Sequence, residues 1–273
     1  MAAGFLLALR EGLEAALIVS VALGVLYRAQ LRSLSWIVWM GVASAVAVSL
    51  VVGGGLAAAG AALEGAAEQI FEGVTMLLAA TILTWMVFWL RAQGRSLQAG
   101  IEADVKRVAG TGQRWALFWL AFLAVLREGI ELSLFLLVVG LQSGAASTLL
   151  GGLAGLAAAA AIGWGLYTAT LRLNLRRFFS VTGALLVLFA AGLVGHGTHE
   201  FVEAGLLPAL AAPIWDTGRL LAEDSPVGSL LRALFGYNAD PSLSETIAYI
   251  AYLAAVAAVS LRQAPLRKAA TEG

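Results

Sequence analysis

Seven stretches of this sequence are long and apolar enough to be buried on all sides, and they constrain the fold more than any other feature. They run over roughly 4–26, 36–59, 70–90, 115–141, 148–170, 178–198 and 245–262, and each is rich in Ala, Leu, Val and Gly. About 20 mostly apolar residues let a helix cross the hydrocarbon core of a bilayer. None of the stretches shows the ten-residue alternation of a membrane β-barrel strand. Backbone polar groups in lipid must be satisfied within the segment, so the sequence predicts an all-α polytopic membrane protein of seven transmembrane helices. Composition agrees: 60% of residues are hydrophobic and 12% charged, against about 25% charged in a soluble domain. A soluble enzyme is excluded on that ground. Seventeen basic residues balance seventeen acidic ones, which leaves no basic footprint for nucleic acid. Cysteine is absent, which removes disulfides and thiolate metal sites together.

The basic residues set the orientation. Arg28 and Arg32 follow the first span, and Arg91, Arg95, Lys106, Arg107 and Arg114 separate the third from the fourth. Arg172, Arg176 and Arg177 follow the fifth, and Arg262, Arg267 and Lys268 follow the seventh, so thirteen of the seventeen fall on one side. Only Arg219 and Arg232 lie opposite, while Arg10 and Arg127 are inside spans. The positive-inside rule then places the N-terminus outside and the C-terminus in the cytoplasm. The first apolar run is interrupted by Arg10, Glu11 and Glu14, so it reads as a retained helix rather than a cleaved signal. The loop at 205–244 holds four of the five prolines and is long enough for a short external helix.

A charged motif occurs twice. Residues 9–14 read Leu-Arg-Glu-Gly-Leu-Glu and residues 126–131 read Leu-Arg-Glu-Gly-Ile-Glu, 117 positions apart. The repeat units are then spans 1–3 (1–91) and spans 4–6 (115–204), joined by a cytoplasmic loop at 92–114, with a seventh helix and tail at 245–273. Three spans is an odd number, so the second unit enters the membrane from the opposite side. Inverted repeats of this kind carry a transport site at their interface near the midplane.

The charges are unfavourable in isolation. A central Arg or Asp costs about 2.5–3.5 kcal/mol on the insertion scale and a large aliphatic returns about 0.3–0.6, so the first span sums to about 9 against about 5. The fourth has the same problem, and the cheapest partner for each is the other. Within a motif, Arg and the second Glu are i, i+4 and pair across one turn, leaving a formal charge of −1. The two Glu are i, i+3, on one face, and the intervening Gly lets another backbone approach closely. Two such faces meeting would gather Glu11, Glu14, Glu128 and Glu131 around one point, balanced by protons, by Arg10 and Arg127, or by a metal ion. The alternative is two intrahelical ion pairs that only glue helices together. Two copies in corresponding positions favour a functional site.

A second cluster of acids sits at the outer edge. Glu64, Glu68 and Glu72 form an i, i+4, i+8 stripe leading into the third span, and His196, His199, Glu200 and Glu203 form a stripe leaving the sixth. Carboxylate and imidazole groups at a mouth concentrate cations; a solvated helix end is the alternative. Oxygen ligands with some imidazole and no thiolate fit iron, manganese or another borderline-to-hard ion, and disfavour copper(I). The absence of a Glu-x-x-His pair argues against a di-iron oxidase.

The doubled Arg-Glu-x-x-Glu motif resembles that of the oxidase-dependent, high-affinity iron permeases, the bacterial EfeU branch in particular. The likeness extends to Glu68-Gln-Ile-Phe-Glu72-Gly and to His199-Glu-Phe-Val-Glu203-Ala-Gly, and so covers nearly the whole chain. It implies import of iron, Fe2+ or Fe3+, across the bacterial inner (plasma) membrane, with both motifs required. Iron is then a transported substrate and no organic cofactor is expected. Glu11, Glu14, Glu128 and Glu131 would be iron ligands and Arg10 and Arg127 their charge partners. The resemblance also implies separate periplasmic partners that oxidise or bind iron, such as a cupredoxin-like protein and a haem peroxidase. Some relatives are linked to lead, so lead or manganese remains an alternative cargo, and a membrane metalloenzyme using His196, His199 and Glu200 an alternative class.

Overall fold

In a computed structural model, residues 1–93, 114–168, 175–211, 213–222 and 225–269 are described. Every regular element among them is helical. The helices are α1 (Ala2–Arg28), α2 (Ser35–Ala61), α3 (Ala66–Gln93), α4 (Arg114–Ser143), α5 (Ala145–Tyr167), α6 (Leu175–Glu203), α7 (Pro226–Phe235) and α8 (Leu243–Ala269), with a 3-10 turn at Arg32–Leu34. Seven are long, and the eighth, α7, is the short helix expected in the 205–244 loop. By length and hydropathy five segments qualify to cross a membrane: Arg32–Ala61, Ala66–Trp89, Ala145–Gly165, Arg177–Glu203 and Leu243–Arg262. The two remaining long helices, α1 and α4, carry the repeated motif. The interior of the 92–114 loop, with Arg95, Lys106 and Arg107, lies outside the described residues, as do Arg172, Glu223 and Asp224.

Boundaries differ from the expected ones at two places that matter. Helix α6 runs to Glu203, so His199, Glu200 and Glu203 ride on the helix itself rather than beyond it. Glu64, by contrast, precedes α3, because Gly65 takes a positive φ of 61° that an L side chain disfavours. The expected three-residue acidic stripe therefore keeps only Glu68 and Glu72 on the helix.

The chain divides into two compact units, residues 1–62 with 89–182 and residues 63–88 with 183–273, the division falling inside α3 and α6. In the first unit α1 packs chiefly along α5 and α2 chiefly along α4, while α1 also meets α4. Glycines set the close approaches. A Cβ built on Gly12, in the first motif, would lie 2.7 Å from Ala159 Cβ, and one on Gly129, in the second, 2.8 Å from Ser49 Cβ. The two motif glycines thus do the same thing, Gly12 against α5 and Gly129 against α2. In the second unit three glycines of α6 serve three different neighbours. Gly197 lies against Gly73 of α3, Gly192 against Gly236 at the end of α7, and Gly195 beside Tyr249 of α8.

Helix α7 starts at Ser225, whose Oγ accepts from Gly228 N at 3.0 Å, with Pro226 in the first turn. Helix α8 starts with a capping box. Ser242 Oγ accepts from Glu245 N at 3.3 Å, and Glu245 Oε1 accepts from Ser242 N at 3.1 Å.

Gly41 of α2 and Gly54, thirteen residues on, separate packing from propensity. A Cβ on Gly41 would meet Phe118 O at 2.7 Å and Phe122 N at 3.1 Å, whereas one on Gly54 meets nothing within 4 Å. Gly41→Ala is expected to destabilise the protein by about 1–3 kcal/mol through overpacking against backbone. Gly54→Ala is expected to be neutral or stabilising by up to about 1 kcal/mol. Unfolding midpoints in detergent for the two variants check this.

Candidate metal site

The repeated motif folds as its spacing requires. One helical turn separates i from i+4, so each Arg reaches its second Glu. Arg10 Nη2 lies 3.1 Å from Glu14 Oε1, and Arg127 Nε donates to Glu131 Oε1 at 3.0 Å. Each Arg also reaches the adjacent Glu, Arg10 Nη1 donating to Glu11 Oε1 at 2.9 Å and Arg127 Nε lying 3.8 Å from Glu128 Oε1.

The two copies are not equivalent. Arg10 is 1% exposed, in the company of buried Glu11 and Glu14. The Arg127 side chain is 33% exposed and its guanidinium stands over the Trp89 ring, 4.9 Å from the centroid. A cation at that distance from an indole face is attracted by the ring quadrupole. Trp89 was not legible as a site residue in the sequence, where it reads as one more apolar residue of the third span.

Glu11 from α1 and Glu128 and Glu131 from α4 each offer an oxygen, and these oxygens all lie within 4.8 Å of one another. Two oxygens sharing one transition-metal ion at about 2.0–2.2 Å lie up to about 4 Å apart, so a small closure suffices. Three of the four motif carboxylates therefore converge. The fourth, Glu14, stands outside that set and is held by Arg10. Oε2 of Glu11, of Glu128 and of Glu131 is in each case buried without a hydrogen-bond donor. Buried acceptors without donors are costly unless a cation satisfies them. Among the described residues no other set of three acidic or imidazole side chains brings ligand atoms this close. Glu11 and Glu128 also line a largely apolar cavity of about 850 Å³ within the first unit, bounded by α1, α2, α4 and α5.

The second cluster belongs wholly to the second unit, where α3 begins, α6 ends and α8 begins. Glu72 lies in the field of Glu68 and Glu203, and Glu200 in that of Glu72 and Glu68. Gln69 Nε2 donates to Glu203 Oε2 at 3.1 Å. His199 is held at both ring nitrogens, Nε2 at 3.1 Å from Glu203 Oε1 and Nδ1 at 3.0 Å from Glu245 Oε1. His196 does not join them. It is buried one turn deeper, with Nδ1 at 3.0 Å from Gly192 O of its own helix. Glu245 joins this cluster from α8 without being one of the expected acids; its only signal in the sequence is Ser242-x-x-Glu245 before an apolar run, a capping-box pattern.

A profile of the Iron permease FTR1 family matches residues 1–269. The chain belongs to that family. A ferrous iron permease EfeU of Escherichia coli O6:K15:H31 (strain 536 / UPEC) is 38% identical over 251 residues, 91% of each chain. A ferrous iron permease EfeU of Yersinia pestis is 35% identical over 251 residues, 91% of this chain and 89% of that one. No solved structure matches. As a member of the iron permease family the chain is a multi-pass membrane transporter of iron and not an enzyme.

The inequality of the two arginines has a measurable consequence. Removing one partner of a buried ion pair leaves an uncompensated charge and costs about 3–5 kcal/mol. Arg10→Met is expected to show that loss, and Arg127→Met, at a partly exposed position, a clearly smaller one. Comparison of detergent unfolding midpoints decides it; equal losses would contradict the inequality.

Proposed function

We propose that the protein imports ferrous iron across the bacterial inner membrane through a site shared by the two motifs, with Glu11, Glu128 and Glu131 as ligands. The observation that carries this reading is the meeting of three carboxylates from α1 and α4, each with an oxygen lacking a donor. The relatives' names supply the ion. Charge counting favours a divalent cargo: two Arg and four Glu sum to a formal −2, which Fe2+ neutralises.

In this reading α1 to α6 are two inverted three-helix repeats, all seven long helices span the bilayer, the N-terminus is outside and the C-terminus is cytoplasmic. The exchange of packing partners supports the repeat: swapping α1 with α4 and α2 with α5 turns the α1–α5 contact into the α4–α2 contact. Iron collects at the outer acids Glu68, Glu72, Glu200 and Glu203 with His199. It then reaches the motif site and displaces Arg127 from Glu131. Arg127 is the more accessible of the two arginines, 33% exposed and stacked on Trp89, whereas Arg10 is buried with Glu11 and Glu14. Rocking of the repeats opens the site inward. An inside-negative potential of 100 mV supplies about 5 kcal/mol for a divalent ion. Separate periplasmic proteins that oxidise or bind iron would present the ion. The same carboxylate set would accept manganese or lead, and competition by each against labelled iron uptake ranks the cargoes.

The test is uptake of radiolabelled Fe2+ into proteoliposomes. Glu11→Gln and Glu131→Gln should each reduce uptake to the level of protein-free liposomes while the protein stays folded. Undiminished uptake by either folded variant would remove that residue from the ligand set.

A further inference from the structure

We infer that Glu245 is a positioning residue for metal capture: it orients His199 so that Nε2 is presented, together with Glu203, to a divalent cation at the outer mouth. The inference rests on the reading of that cluster as the site where iron first collects.

Glu245 is 5% exposed and is held from several sides. Its Oε1 accepts from Ser242 N at 3.1 Å and from Ser242 Oγ at 2.7 Å, and its Oε2 accepts from Asn238 Nδ2 at 2.8 Å. The carboxylate is therefore an acceptor fixed at the start of α8, and His199 must donate to it through Nδ1 at 3.0 Å. That fixes a proton on Nδ1 and leaves Nε2 as the nitrogen that exchanges partners: it donates its own proton toward Glu203 and gives it up, to that carboxylate or to water, when a cation takes its place. Nε2 points at Glu203 Oε1, 3.1 Å away.

A carboxylate on one imidazole nitrogen and a cation on the other is the usual arrangement around a ligating histidine. The outer partner fixes the tautomer and the ring plane and raises the basicity of the ligating nitrogen. Here the outer half of that arrangement is built and rigid. The inner half, Nε2 with Glu203, is the softer one: both side chains are substantially exposed, 40% and 49%. Glu72 and Glu200 contribute negative field beside it. An isolated cap residue would need only Ser242, and its capping role does not require the contact with His199. The same glutamate does both, which ties the loop ahead of α8 to the orientation of the imidazole on α6.

Fe2+ binding to detergent-solubilised protein, measured by isothermal titration calorimetry, tests the assignment. The background is Glu11→Gln with Glu128→Gln, which disables the inner site and leaves the outer one. Loss of an outer-shell partner typically weakens metal affinity 10–100-fold. Glu245→Gln, which retains the bonds to Ser242 and Asn238 in part, is expected to raise the Kd by that factor. Glu245→Asp, one methylene shorter, should do the same and stands in if the first variant does not fold. In a His199→Asn background Glu245→Gln should produce no further loss, because the residue acts through the imidazole. Unchanged affinity, or losses that add, would overturn the role of Glu245 while leaving the outer site standing. No Fe2+ binding at all in the background protein would overturn the outer site itself, and this inference with it.

Discussion

Charge buried in an apolar bundle must be balanced where it sits. Arg10, Glu11 and Glu14 on α1 and Arg127, Glu128 and Glu131 on α4 place six formal charges in the first unit, five of them on side chains less than a tenth exposed. Neither helix carries its charges comfortably alone. Their mutual approach is therefore a condition of burial, and the glycine inside each motif is what allows α5 and α2 to pack closely behind it. The residue types that make the helices hard to insert are the ones that build the site.

The balance is incomplete by design of the sequence. Two guanidinium groups face four carboxylates: Arg10 is shared between Glu11 and Glu14, and Arg127 pairs with Glu131. The three carboxylates that converge, Glu11, Glu128 and Glu131, are of acceptor-only chemistry when ionised, which suits a hard or borderline cation. A buried Arg10 contrasts with a one-third-exposed Arg127 over Trp89. A symmetric sequence has thus become an asymmetric site, and the difference lies in what surrounds each copy rather than in the motif.

Much of this was legible in the sequence because the relevant spacings are short. Helical periodicity alone places Arg10 against Glu14 and Arg127 against Glu131, and the repeat points α1 at α4. What periodicity does not hold is depth and long-range partnership. His196 shares a stripe with His199, yet one turn is enough to bury it against Gly192, so its ring is used inside the helix packing. Glu64 shares a stripe with Glu68 and Glu72, yet a positive-φ glycine ends the register before it. Trp89 and Glu245 matter through contacts with residues 38 and 46 positions away, which no local pattern encodes. The capping box before α8 was visible as a helix start, but its partnership with an imidazole on α6 was not.

The account turns on one point in space, where Glu11 of α1 meets Glu128 and Glu131 of α4. Anomalous scattering at the iron edge, collected from crystals grown with Fe2+ under reducing conditions, examines it directly. The account predicts a peak within bonding distance of carboxylate oxygens from both helices. Strong iron peaks confined to other places, with these three carboxylates apart and unliganded, would contradict it.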